Sequence, residues 1–228
     1  MVIFSQTHYK YDIILPMDNS KLGNYLLFLN VIQKKIDKFF DDQKEYIFCK
    51  EGCSKCCQGA QFPYTEIEFR LLIQGMFALE QNLQFQIMDK IESIIQAKKE
   101  HMEKTPNEKF RYDCPFLVNN SCSVYMFRGL ICRCFGLMAF DPENKKKSQI
   151  PFCAYEGLNY SNVIDPETHM ISEEKYKDCG LKMEPKAFNA GYLSLIDDEF
   201  AKGFDFEFGD VKPMIDWFEI FGDGDKGE

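Results

Sequence analysis

Cys49-Lys50-Glu51-Gly52-Cys53-Ser54-Lys55-Cys56-Cys57 is the stretch on which the reading of this chain turns. Its four cysteines have the spacing C-x3-C-x2-C-C. A second group follows in the order Cys114-Pro115-Phe116-Leu117, Cys122-Ser123-Val124-Tyr125, Arg128 and Cys132-Arg133-Cys134. Short cysteine turns let two thiolates converge on one ion at about 2.3 Å. Gly52 permits the tight backbone that such a turn needs. A second segment closing the shell turns metal-binding energy into folding energy for loops with little core of their own. Neighbouring side chains diverge, so Cys56 and Cys57 are expected to serve different ions, or one of them to face the core.

The candidate metal ligands are therefore Cys49, Cys53, Cys56, Cys57, Cys114, Cys122, Cys132 and Cys134. Eight thiols are enough for two four-thiolate sites. Soft all-thiolate ligation selects zinc, iron–sulfur or Cu(I) over magnesium, calcium and manganese. The expected cofactor is zinc or iron, the iron held singly or in an iron–sulfur cluster. Cys153 and Cys179 stand alone and read as structural cysteines. Only four arginines occur, and Arg111, Arg128 and Arg133 flank the second cysteine group. Arg128 and Arg133 are the candidates for offsetting thiolate charge or holding an anionic group. The competing role for the arginines is a structural ion pair with an acid such as Asp113.

Working outward, the chain has 228 residues and a formal charge of −9. Residues 184–228 carry −8 of that charge, which leaves the remainder almost neutral. Phosphate-tracking nucleic-acid binding needs clustered Lys and Arg, so it is excluded. The longest strongly apolar stretch, near Tyr25–Ile32, is too short to span a bilayer. The N-terminal residues lack the basic-then-apolar pattern of an export signal. A cytoplasmic location without membrane contact is expected, and in that reducing compartment clustered thiols are metal ligands or redox groups rather than disulfides.

The periodicities predict a mainly α fold with minor β (α+β), helices surrounding two cysteine-rich metal-binding loops. Residues 1–16 read as extended. Ser20 is a candidate cap for a helix running to about Tyr46, with Leu22, Leu26, Leu29, Ile32, Ile36 and Phe39 on one face. Thr65 with Glu68 reads as a capping box opening a helix over about 65–80. A further helix is expected over about 82–103, and loops over 110–140. Asp141–Asn144 reads as a turn with a solvated flank at Lys145–Lys147, and 150–172 as irregular chain or short strands. Residues 185–202 are expected to be helical, and the alternation of Phe204, Phe206 and Phe208 with acids suggests a half-buried strand. Asp223-Gly224-Asp225 starts like a calcium loop but reads as a frayed terminus. The expected organisation is a cysteine-cluster domain over 1–183, with its core at 45–137, and an acidic, Phe-rich extension over 184–228 packed on it.

The cysteine block resembles the YkgJ-like cysteine-cluster family, also called the CxxCxxCC zinc- or iron-chelating domain. The matching residues are Cys49, Cys53, Cys56, Cys57, Cys114-Pro115-Phe116-Leu117, Cys122-Ser123-Val124-Tyr125, Arg128 and Cys132-Arg133. Gly129 stands where the family has Pro, which is expected to loosen that turn, and Cys134 adds a thiol. The resemblance implies metal chelation. Flagellin lysine N-methylases carry a similar block, so the resemblance also admits a methyl-transfer or iron–sulfur enzyme.

Two functions follow. The first is a metal-binding protein holding zinc or iron for folding, storage or delivery. The second is an iron- or iron–sulfur-dependent enzyme of redox or peptide-modifying type. The partners are a metal ion and, for the second function, a protein or peptide. Cys49, Cys53 and Cys56 also have the spacing of radical S-adenosylmethionine enzymes. The adjoining Cys57 and the lack of a βα succession argue against that barrel. Nothing in the sequence brings His8, His101 or His169 to a thiol, which weighs against a Cys/His nucleophilic pair.

Overall fold

The structure is a computed structural model and describes residues 19–59, 62–141, 144, 147–181 and 184–223. The extended chain expected over 1–16 and the frayed end after Asp223 lie outside these residues, as do Pro142, Glu143, Lys145 and Lys146 of the expected turn. Helix dominates, as the periodicities predict. The long helices are α1 (Asn19–Asp42), α2 (Glu66–Phe77) and α3 (Gln81–Lys104). The shorter ones are α4 (Leu130–Cys134), α5 (Glu173–Asp178), α6 (Tyr192–Leu195), α7 (Asp198–Lys202) and α8 (Met214–Asp223). Three antiparallel pairs supply the minor β content: β1 (Pro63–Thr65) with β6 (Val211–Pro213), β2 (Leu117–Val118) with β3 (Ser121–Cys122), and β4 (Ala139–Phe140) with β5 (Ser148–Gln149).

α2 is the central element because its sequence is apolar on more than one side. Phe69, Leu72, Ile73 and Met76 enter a cluster shared with Ile87, Met88 and Ile91 of α3 and Trp217 and Phe218 of α8. Ile67 and Leu71 face a second cluster built on α1 and α4. Arg70 bridges to Glu66 at 2.7 Å, one turn away. The capping box is present as read: Thr65 accepts from the Glu68 N–H, and the Glu68 carboxylate accepts from the Thr65 N–H. Gly75 has no room for a Cβ because the Phe127 side chain lies against it. A third, smaller cluster gathers Tyr46, Met138, Ala154, Tyr160, Val163 and Ile164.

Several local expectations are corrected. α1 is described from Asn19, so Ser20 lies within the helix rather than capping it, and it ends at Asp42, with a 3₁₀ turn over Lys44–Tyr46. Its buried stripe includes Tyr25 and Phe28, whereas Leu26 is exposed. Residues 185–202 contain two short helices, because Asp197 caps a new start at α7 instead of continuing α6. Phe206 and Phe208 are buried and Glu207 exposed, as alternation requires, but among the described residues the segment pairs with no strand. It crosses α1 instead, with the Phe206 and Phe208 rings 5.2 and 5.6 Å from Phe28. Trp217 and Phe218 are buried in the cluster shared by α2 and α3. Asp141 and Asn144 keep the turn-closing bond from the Asn144 N–H to Asp141 Oδ1.

Candidate metal centre

The first cysteine cluster folds as a run of turns. The Cys53 N–H donates to Lys50 O at 2.9 Å with Gly52 at φ +84°, and the Cys57 N–H donates to Ser54 O at 2.8 Å. Cys56 and Cys57 bring their sulfurs within 3.8 Å. Two distant segments dock on this run. The Cys114 N–H donates to Cys57 O at 2.8 Å, the Gly59 N–H to Asp113 Oδ1 at 2.9 Å, and Arg111 to Gly59 O at 3.2 Å. Cys122 follows on the β2–β3 hairpin, opposite Leu117. Cys56, Cys114, Cys122 and Cys132 all pack against the cluster formed by α2, α3 and α8.

The 3₁₀ turn Phe152–Glu156, which carries Cys153, also meets this run. Lys55 bridges to Glu156 at 2.8 Å, and the Phe152 ring packs on Phe135 with centroids 5.3 Å apart. Cys153 thus sits beside the first cluster, close enough for its charge to act on Cys49. Sequence spacing gave no signal for this, because Cys153 stands nineteen residues beyond Cys134 without a partner in its own segment.

Cys134 goes elsewhere. Residues two apart on a helix point roughly 200° apart. With Cys132 toward the thiols, Cys134 is therefore buried in the α1-side cluster, its thiol toward Ile131 O. Cys179 is exposed and its thiol faces Asn162 O.

The thiols perturb one another. Burial, then Cys53, pushes Cys49 up to about 11, and burial lifts Cys153 to about 11. Hydrogen bonding with Cys114 leads the rise of Cys57 to about 12. Crowded thiols that resist ionisation are what a soft cation relieves when it replaces their protons. Among the described residues, no three Cys, His, Asp or Glu side chains already form an ion-coordinating group. The donors stand adjacent rather than closed on one point. Their type suits zinc or iron.

The arginines divide. Arg133 is buried and spends its guanidinium on Arg128 O, Met126 O and Gln33 Oε1, clamping the 126–128 turn to α1. Arg128 stacks on Tyr125 at 3.6 Å, with its Nε buried and unpartnered. Burial raises Cys122, and the Arg128 charge partly opposes that rise. Among the described residues neither arginine forms an ion pair. The turn at Gly129 is not loosened. The Gly129 N–H donates to Tyr64 Oη, and its carbonyl accepts from the N–H groups of Cys132 and Arg133. His101 bonds Thr105 and Glu108 O, and the His169 ring lies tilted against Tyr155.

Asn159 is a functional support that the sequence did not reveal. Its Oδ1 accepts from the Phe48 and Cys49 N–H groups at 2.9 and 2.8 Å, and its Nδ2 donates to Gly136 O at 2.9 Å. One buried amide thus fastens the start of the first cluster to the end of the second. Asn159→Ala leaves these groups unmatched and is expected to cost about 2–4 kcal/mol. Urea titration checks this, and Asn159→Asp, which keeps the acceptor but sets a carboxylate oxygen against Gly136 O, is expected to be destabilising too.

Residues 48–154 match the family model CxxCxxCC, described as "Putative zinc- or iron-chelating domain". The resemblance read from the motifs holds over that segment. No curated protein and no solved structure matches the chain. Among the described residues, no helix is long and apolar enough to cross a membrane.

Proposed function

We propose that the chain chelates zinc or iron in two thiolate sites that meet at Cys56 and Cys57. The first site takes Cys49, Cys53, Cys56 and Cys153. The second takes Cys57, Cys114, Cys122 and Cys132. Cys134 stays in the apolar core. The observation that carries this reading is the docking of both the 111–114 segment and the Cys153 turn on one four-cysteine run. Arg128 supplies positive charge beside the second site, and Arg133 holds the turn that positions it.

A shallow groove of about 530 Å³ lined by Asp89, Lys90, Ile94, Asp113, Cys114 and Leu117 supports exchange of the ion with solvent or a carrier. A site that only braces the fold needs no such approach. Purification without oxygen, followed by metal analysis, acid-labile sulfide and absorption spectroscopy, tests the assignment. Bound zinc or iron, with the eight ligand thiols shielded from alkylation until the metal is removed, is the expected result. Stoichiometric iron with sulfide makes the centres iron–sulfur clusters and favours redox or peptide-modifying chemistry. No metal, with the eight assigned ligand thiols reacting freely in the folded chain, overturns the proposal.

A further inference from the structure

We infer that Tyr64 is the hydrogen-bond donor that tunes the sulfur of Cys132 when that sulfur holds a metal. The inference rests on the chelating reading above. Tyr64 Oη lies 3.4 Å from Cys132 Sγ and is fully enclosed. The same oxygen accepts from the Gly129 N–H at 3.2 Å. A metal-bound cysteine has no proton, so the phenol must be the donor to it. With its oxygen accepting from an amide, the phenol O–H is polarised and donates more strongly. The result is a short relay from the Gly129 amide through the Tyr64 hydroxyl to the Cys132 sulfur.

Three features hold this donor in place. Tyr64 lies in β1 opposite Lys212, and its carbonyl accepts from Trp217 Nε1 at 2.8 Å. The Cys132 N–H returns to Gly129 O at 3.1 Å, which fixes the sulfur relative to the same residue. Gly129 also makes the approach possible. A Cβ there would stand 2.8 Å from the Tyr64 ring, so any larger residue pushes the hydroxyl away. Outer-sphere donors of this kind lower the energy of the thiolate lone pair and alter metal affinity and reactivity.

Cobalt(II) titration of the full reduced chain tests the relay, since sulfur-to-cobalt charge transfer reports the energy of each bound sulfur. Tyr64→Phe keeps the ring and removes the donor. Its charge-transfer band is expected at longer wavelength with undiminished intensity. In a Cys132→Ser background, Tyr64→Phe is expected to shift nothing further. An unshifted Tyr64→Phe band, or a shift that persists without Cys132, overturns the relay while the chelating reading stands. Absence of any thiolate–cobalt band in the unmodified chain overturns that reading, and the relay with it. Should Tyr64→Phe lose its circular dichroism, 3-fluorotyrosine incorporated throughout the chain decides. A stronger phenol donor moves the band to shorter wavelength if the relay exists and leaves it unmoved if it does not.

Discussion

Cys56→Ser and Cys57→Ser, made separately, are each expected to remove one of two bound ions and to leave the other in place. Two residues joined by one peptide bond would then report on different sites. Three apolar clusters support the chain on their own, so neither variant should unfold outright. Loss of one site is expected to cost about 3 kcal/mol or more, roughly 10 °C in melting midpoint for a chain of this size. Cys153→Ser should behave like Cys56→Ser, whereas Cys134→Ala and Cys179→Ser should keep full metal content. A metal assay beside each melt separates these outcomes.

The pH dependence follows from the same thiols. Cys49 and Cys153 are held near 11 and Cys57 near 12, against 9.0 for an ordinary thiol. Ion uptake near neutrality must expel those protons, so apparent affinity climbs with pH. In the metal-free chain the protonated folded thiols confer stability that is complete below about 9. It is lost as pH rises through 11 to 12, where the folded state too must ionise. Urea melts of the stripped protein across that range would record the decline.

Glu68→Gln is expected to be among the most damaging changes outside the cysteines. The Glu68 carboxylate is buried and accepts from the Thr65 N–H and hydroxyl, the Tyr192 hydroxyl and the Leu130 N–H. It therefore starts α2, anchors α6 and holds the first residue of α4, the helix that presents Cys132 and Arg133. A glutamine has one oxygen for donors on two sides, so at least one backbone N–H faces an NH₂ group. Stranded donors cost about 1–3 kcal/mol each, and a total loss of roughly 3 kcal/mol is expected. Burial also raises the Glu68 carboxyl above its ordinary 4.5. Its contribution is fully present below 4.5 and is lost as pH rises through the higher folded value. The variant should flatten that part of the stability-versus-pH curve as well as lower its height.

The parts of this molecule legible in its sequence are those where spacing alone carries information. α2 and α3 follow from a 3.6-residue stripe, and the Thr65–Glu68 box marks its helix start without any tertiary knowledge. The alternation at Phe204–Phe208 gives burial correctly but not pairing, because any extended chain lying on an apolar helix shows period two. Cys134 reads as a ligand because it is two residues from Cys132, whereas in the short helix its side chain packs into the α1-side cluster. Asn159, Tyr64 and Cys153 act across 110, 68 and 104 residues on Cys49, Cys132 and Cys49 respectively. Residues acting over such distances leave no periodic trace, and only the folded chain brings them to their partners.

The sulfurs of Cys56 and Cys57, 3.8 Å apart, also bear on how the protein would fill. Two ions anchored on consecutive residues cannot load independently. The first to arrive orders the backbone that the second requires, while the charge it leaves on its thiolates discourages or favours the second according to their sum. By reciprocity the same factor acts in both directions, so half-filled molecules should be either scarcer or commoner than chance allows. Native mass spectrometry at half-saturating ion would count the empty, singly filled and doubly filled species directly. The cysteine pair would in that case make the protein a cooperative or anticooperative register of metal supply rather than two separate holders of it.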